Sequence, residues 1–178
     1  MGKELVADEW SLGMRIQTNL RKIKSPRQAP VAGDVFALQL PTGKYLFGRV
    51  VLANPPRECA PMPESYLVYI YAVQSDTMRV EHGRLRKEEL LLAPIWTNKL
   101  GWTKGYFKVV GNQALDSSIT LRHHCFRRYD GVYLDEVGGK LSGGFEPCGQ
   151  WGLVSYRWID DHVSDALNIP RAPVGERD

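Results

Sequence analysis

Apolar positions change their spacing along this chain, and the changes mark its elements. Between residues 11 and 24 they fall at Leu12, Ile16, Leu20 and Ile23, steps of four, four and three that lie on one face of a helix. Ser11 fits an N-cap, and Arg21, Lys22 and Lys24 sit where a helix C-terminus favours cations. Pro26 and Pro30 break the pattern, so residues 1–30 predict an N-terminal helix followed by a Pro-containing linker. From Gly33 the period becomes two. Residues 34–40 and 44–52 alternate as strands around a Pro41-Thr42-Gly43 turn, and 66–73 form a third strand rich in β-branched and aromatic residues. Gly48, inside the second strand, predicts a bulge or a close approach of another group to the backbone. Four prolines make residues 53–63 a surface loop.

Later elements are less regular. Residues 84–92 read as a helical turn that ends as a strand, and 95–102 as a polar turn between apolar pairs. Residues 105–111 read as a strand, with weaker strands at 119–121 and 131–135 and a glycine-rich hairpin or loop at 137–144. Val154, Trp158, Ile159, His162, Val163, Ala166 and Leu167 return to helical spacing until Pro170 stops it. Three strands in succession argue for an antiparallel meander. The predicted class is therefore α+β. A single domain over residues 31–170 is built on a twisted antiparallel, partly barrel-like β-sheet, with an N-terminal and a C-terminal helix and a flexible tail at 171–178.

Composition narrows the function. A chain of 178 residues buries enough surface to fold without disulfide or metal. Residues 1–33 carry 6 basic and 3 acidic groups, residues 34–100 carry 8 and 7, and residues 101–178 carry 9 and 10. The net +3 thus sits in the first segment, and a neutral body argues against nucleic acid as the partner. The first nine residues hold no apolar run like a signal-peptide core, Val6 stands where an N-myristoylation motif needs Ser or Thr, and no stretch is apolar enough to span a membrane. Three cysteines, an odd number without close spacing, suit a reducing compartment. The expectation is a cytoplasmic protein without a membrane partner.

Candidate chemistry is sparse. Gly139-Lys140 is followed by Leu141 and lacks the upstream glycine, so it is no phosphate loop. His123-His124-Cys125 offers metal-ligand or nucleophile types, and on a strand His123 and Cys125 would share a face that His124 would not. Cys59, Cys148, His82 and His162 show no paired spacing that would complete a zinc site. No metal, cofactor or catalytic residue is assigned, although Cys125 with a histidine base is the enzyme alternative. Arg122, Arg127 and Arg128 could form an anion patch, with exposed aromatics stacking RNA bases in the binding-module alternative. Asp160, Asp161 and Asp165 give the C-terminal helix an acidic side that could mimic phosphate and meet a basic partner. Tyr66 and Trp96, beside loops, are candidate interface anchors.

The run Gly33-Asp34-Val35-Phe36, followed by Gly43-Lys44-Tyr45 and then Phe47-Gly48-Arg49-Val50, resembles the opening of the immunity protein 26 family of bacterial polymorphic toxin systems. Pro94-Ile95-Trp96-Thr97-Asn98 and the segment from Trp102 to Gly111 resemble its second block, so the likeness covers most of residues 31–111. It implies a non-catalytic protein that binds and neutralises a cognate toxin in the cytoplasm. It carries over no binding residues.

Overall fold

The computed structural model describes residues 17–24 and 28–174. Its centre is a five-stranded antiparallel sheet in the order β4-β3-β2-β1-β5. The strands are β1 (Asp34–Gln39), β2 (Tyr45–Ala53), β3 (Tyr66–Ser75), β4 (Ile95–Thr97) and β5 (Phe107–Asn112). The first three form the meander that the alternation predicts. The sheet stays open: β4 and β5 end it on opposite sides, and it does not close as a barrel. A smaller sheet, β7-β6-β8, is made from β6 (Cys125–Arg127), β7 (Tyr133–Leu134) and β8 (Cys148–Gln150). A single helical turn, α1 (Leu100–Thr103), precedes β5, and α2 (Tyr156–Ala166) is the C-terminal helix. The class is α+β.

Both faces of the large sheet are covered, because successive side chains of each strand point to opposite sides and both sets are apolar. On one face Phe36, Leu38, Leu46, Val50, Val68, Ile70 and Phe107 pack against Trp102 of α1 and Tyr156, Ile159 and Val163 of α2. On the other, Val35, Ala37, Phe47, Leu67, Tyr69, Tyr71 and Trp96 pack against Leu85 and Phe126 of the later segments. Arg49 belongs to this second face and is completely buried. Its Nε donates to the Tyr71 hydroxyl at 3.2 Å and its Nη1 to Gln113 Oε1 at 2.9 Å, while Nη2 has no partner among the described residues. Burial pushes the Tyr71 hydroxyl above its ordinary value, and the neighbouring guanidinium only partly offsets it.

Gly48 meets the expectation of close approach. It faces Phe36 on β1 and Ile70 on β3, with the Phe36 ring over the position a side chain would take. Bulges interrupt β2 between Leu46 and Phe47 and between Val50 and Leu52.

The N-terminal helix is corrected in part. Residues 11–16 lie outside the described residues, and residues 17–24 are not helical. They run along the domain instead. Arg21 bridges to Gln39, the Ile23 N–H donates to the Gly105 carbonyl at 2.6 Å, and Leu20 and Ile23 are buried. Spacing that suits a helix also suits an extended segment with two apolar anchors, and here long-range contacts decide. Of the linker, residues 25–27 lie outside the described residues, as do residues 175–178 of the tail and residues 1–16, on which the expectation about targeting signals rests. Residues 119–121 form a turn in place of a strand.

Candidate functional site

The C-terminal helix is fixed at both ends. Ser155 is its N-cap, accepting from the Trp158 N–H at 3.2 Å. Just before it, the Val154 N–H donates to the Trp96 carbonyl and the Thr97 hydroxyl donates to the Val154 carbonyl, each at 2.9 Å. These two bonds seat α2 against the edge of β4. Between α2, β4 and β8 lies a cleft of about 210 Å³, lined by Leu92, Pro94, Trp96, Cys148, Trp158 and His162 among others. Trp158 and His162 stack with ring centroids 3.4 Å apart and planes 17° apart. His162 Nδ1 lies 2.8 Å from the Trp158 carbonyl, which can only accept, so Nδ1 carries a proton and in the neutral ring Nε2 is left as an acceptor. The site is thus an apolar slot with an aromatic lip and few polar groups, suited to holding a side chain of a partner.

The acidic residues of α2 divide. Asp160 is buried and accepts from the Asn19 N–H at 3.0 Å and the Leu20 N–H at 2.6 Å, tying the N-terminal segment to the helix. Burial pulls its carboxyl above the usual carboxylate value, and the two N–H groups offset this only in part. Asp165 is paired with Arg171 and held below the ordinary value by that hydrogen bond. Asp161, partly exposed beside His162, is the one of the three with no partner of that kind among the described residues. Tyr66 and Trp96 are buried, at 6% and 0% exposure. Tyr66 packs on Trp102, and Trp96 on Phe126 and Trp151. They build the core beneath the cleft, and the aromatic that reaches the cleft from α2 is Trp158, half-buried and packed against the core.

The histidine–cysteine segment also differs from its expected geometry. β6 begins only at Cys125, so strand alternation does not extend to residues 123 and 124. His124 is buried, His123 is exposed, and Cys125 is buried against Cys148, their Sγ atoms 2.7 Å apart. No group of His, Cys, Asp or Glu that could hold a metal occurs among the described residues. His124 Nε2 lies 2.6 Å from the Tyr69 hydroxyl, which also accepts from the Leu121 N–H at 3.0 Å. Burial drives the Tyr69 hydroxyl far above its ordinary value, so it keeps its proton and donates to Nε2. Nδ1 lies 3.3 Å from Glu136 Oε2 without the alignment of a hydrogen bond, and the contact is chiefly electrostatic. With Tyr69 at 0% and His124 at 4% exposure, a substrate cannot reach either ring.

Burial, resisted by Glu136, lowers the His124 value below 6.5, so the folded protein holds this ring neutral. A group depressed on folding binds more protons when unfolded. Stability is therefore expected to fall as the pH drops from about 6.5 toward the lower folded value. Thermal denaturation between pH 7.5 and 5.5 measures this: His124→Gln should flatten the slope, and an unchanged slope would show that His124 does not set it.

Arg128 is held by Asp130, with Nε 3.0 Å from Oδ1, while Arg122 and Arg127 are exposed. The three arginines do not form one surface free for an anion. No helix among the described residues is long and apolar enough to cross a membrane.

The model of the immunity protein 26 family matches residues 31–129, more than half of the chain. The chain belongs to the immunity protein 26 family. The matched region contains the whole large sheet, α1 and β6, while β8 and α2 lie beyond it. Comparison with curated proteins and with solved structures finds no match. The cleft therefore joins a wall inside the matched region, Leu92 to Trp96, to a wall from outside it, Cys148 to Gln150 with Trp158 and His162.

Proposed function

We propose that this immunity protein neutralises a cognate bacterial toxin in the cytoplasm by binding it stoichiometrically, without catalysis. The observation that carries the reading is the family match across the entire central sheet. The burial of Tyr69, His124 and Cys125 supports a binding role over a catalytic one. The toxin-facing surface is the cleft between α2 and β4, with Trp158 and His162 at its lip and Asp161 beside them. A common scaffold joined to a chain-specific wall is what a protein that must recognise one partner needs. The RNA-binding alternative draws less support, since Tyr66, Tyr69, Tyr71 and Trp96 of the sheet are buried and unavailable for base stacking.

The test is survival of cells that express the toxin encoded beside this protein, with and without it. Survival that depends on this protein is expected, and survival indifferent to it would refute the reading. For the site, Trp158→Ala should weaken toxin binding by at least ~10-fold. Asp161→Lys, which removes no core contact, should act in the same direction if charge steers the encounter. Calorimetric titration reads both, and unchanged affinity in both variants would move the interface elsewhere.

A further inference from the structure

We propose that Cys125 and Cys148 form a reversible disulfide that locks β8 onto β6. They lie 23 positions apart in the chain, yet the register of the small sheet sets them directly opposite each other across the parallel β6–β8 pair. Neighbouring strands run about 4.8 Å apart. That separation falls inside the Cα window of about 4.4–6.8 Å that a disulfide spans, so closing the bond calls for side-chain rotation and not for backbone movement. The sulfurs are already in contact and both cysteines are free thiols. Cys125 is buried, whereas Cys148 is partly exposed and borders two concavities, the cleft beside α2 and a shallower one lined by Arg127, Tyr133 and Phe145. One thiol is thus open to a small oxidant and the other is positioned to resolve the adduct.

The oxidant is a low-molecular-weight disulfide. Cys148 attacks one of its sulfurs and releases a small thiol, and Cys125 then displaces the second small thiol from Cys148. Two protein thiols are oxidised, one small disulfide is reduced to two thiols, and the protons of the protein thiols leave with them. Burial and the adjoining Cys125 push the Cys148 thiol up to about 12, so little thiolate is present at neutral pH and the exchange is slow. The consequence is mechanical. β6 and β8 are three residues each and β7 two, and β8 is one wall of the cleft. A covalent link holds that wall to the strand that completes the family-matched region. The inference does not depend on toxin binding.

The full chain carrying Cys59→Ser, equilibrated in oxidised or reduced glutathione and then alkylated after unfolding, tests it. Two alkylated cysteines are expected under reducing conditions. Under oxidising conditions none is expected, with a mass lower by ~2 Da. The melting temperature should rise by roughly 5–10 °C on oxidation and return on reduction. Cys125→Ser in the same background should instead keep a glutathione adduct on Cys148, because the resolving thiol is gone. Two free thiols under oxidising conditions, two stable glutathione adducts, or a disulfide-linked dimer would each overturn the proposal.

Discussion

Gly48→Ala is expected to destabilise this protein by about 3–5 kcal/mol, or to prevent its folding. A Cβ at this position would stand 2.3 Å from Phe36 Cζ, 2.6 Å from Phe36 Cε2 and 2.7 Å from the Tyr69 carbonyl oxygen. The carbonyl belongs to the ladder between β2 and β3 and cannot retreat without breaking it. The ring cannot retreat either, because Trp102 and Phe107 hold it with centroids 5.1 and 5.2 Å away. The cost is one of space. Gly43 makes the contrast: nothing lies within 4 Å of its Cβ position, but its φ of +91° is one that side chains resist. Gly43→Ala should therefore cost only the backbone term, about 1–2 kcal/mol. Urea denaturation of both variants measures the difference. A Gly48→Ala loss no larger than that of Gly43→Ala would show that the Phe36 ring is free to move.

Asp160→Ala should cost about 2–4 kcal/mol and release residues 17–24 from the domain. The substitution strands two backbone donors that lie against α2, the Leu20 N–H among them fully enclosed, some 140 positions away in the chain. Amide exchange at Asn19 and Leu20 should rise well beyond the change in global stability, because the segment can detach while the sheet persists. Asp160→Asn keeps one acceptor oxygen and should cost less. The two forms also differ in their pH response. Folding raises the Asp160 value above 3.8, so its titration contributes stability that is full below that value and is lost as the pH rises through the folded one. Asp160→Asn lacks this titration and should compare better with the parent protein at neutral pH than in acid. The opposite trend would mean that the N–H groups outweigh burial.

What the residues disclose in advance depends on how local the cause is. β1, β2 and β3 follow from alternation and a turn within a few positions, and α2 follows from a stripe stopped by Pro170, whereas its Ser155 cap emerges only in the structure. Alternation cannot say that Arg49 faces inward, because both faces of the sheet are covered and the apolar run is nearly continuous. The extended path of residues 17–24 is set by Asp160 and Ser164 on a helix at the far end of the chain. The Cys125–Cys148 contact depends on β8 returning parallel to β6 across an irregular segment, and a spacing of 23 has no signature of its own. The cleft is harder still. Its aromatic lip, Trp158 and His162, is spaced like core, and the acidic side predicted for α2 is mostly consumed, Asp160 inward and Asp165 by Arg171. The resemblance at Gly33 to Val50 was legible because its residues are structural: Phe36 and Gly48 meet, and Arg49 is buried behind them.

The central claim is inhibition by occupancy. Titrating the purified toxin with this protein, while following the toxin's residual activity, tests it most directly. The account predicts a linear fall that reaches zero at a fixed whole-number ratio of the two chains, with no recovery on longer incubation and no covalent change in the toxin. Protection at far less than one equivalent, growing with time, would mean turnover and would contradict it.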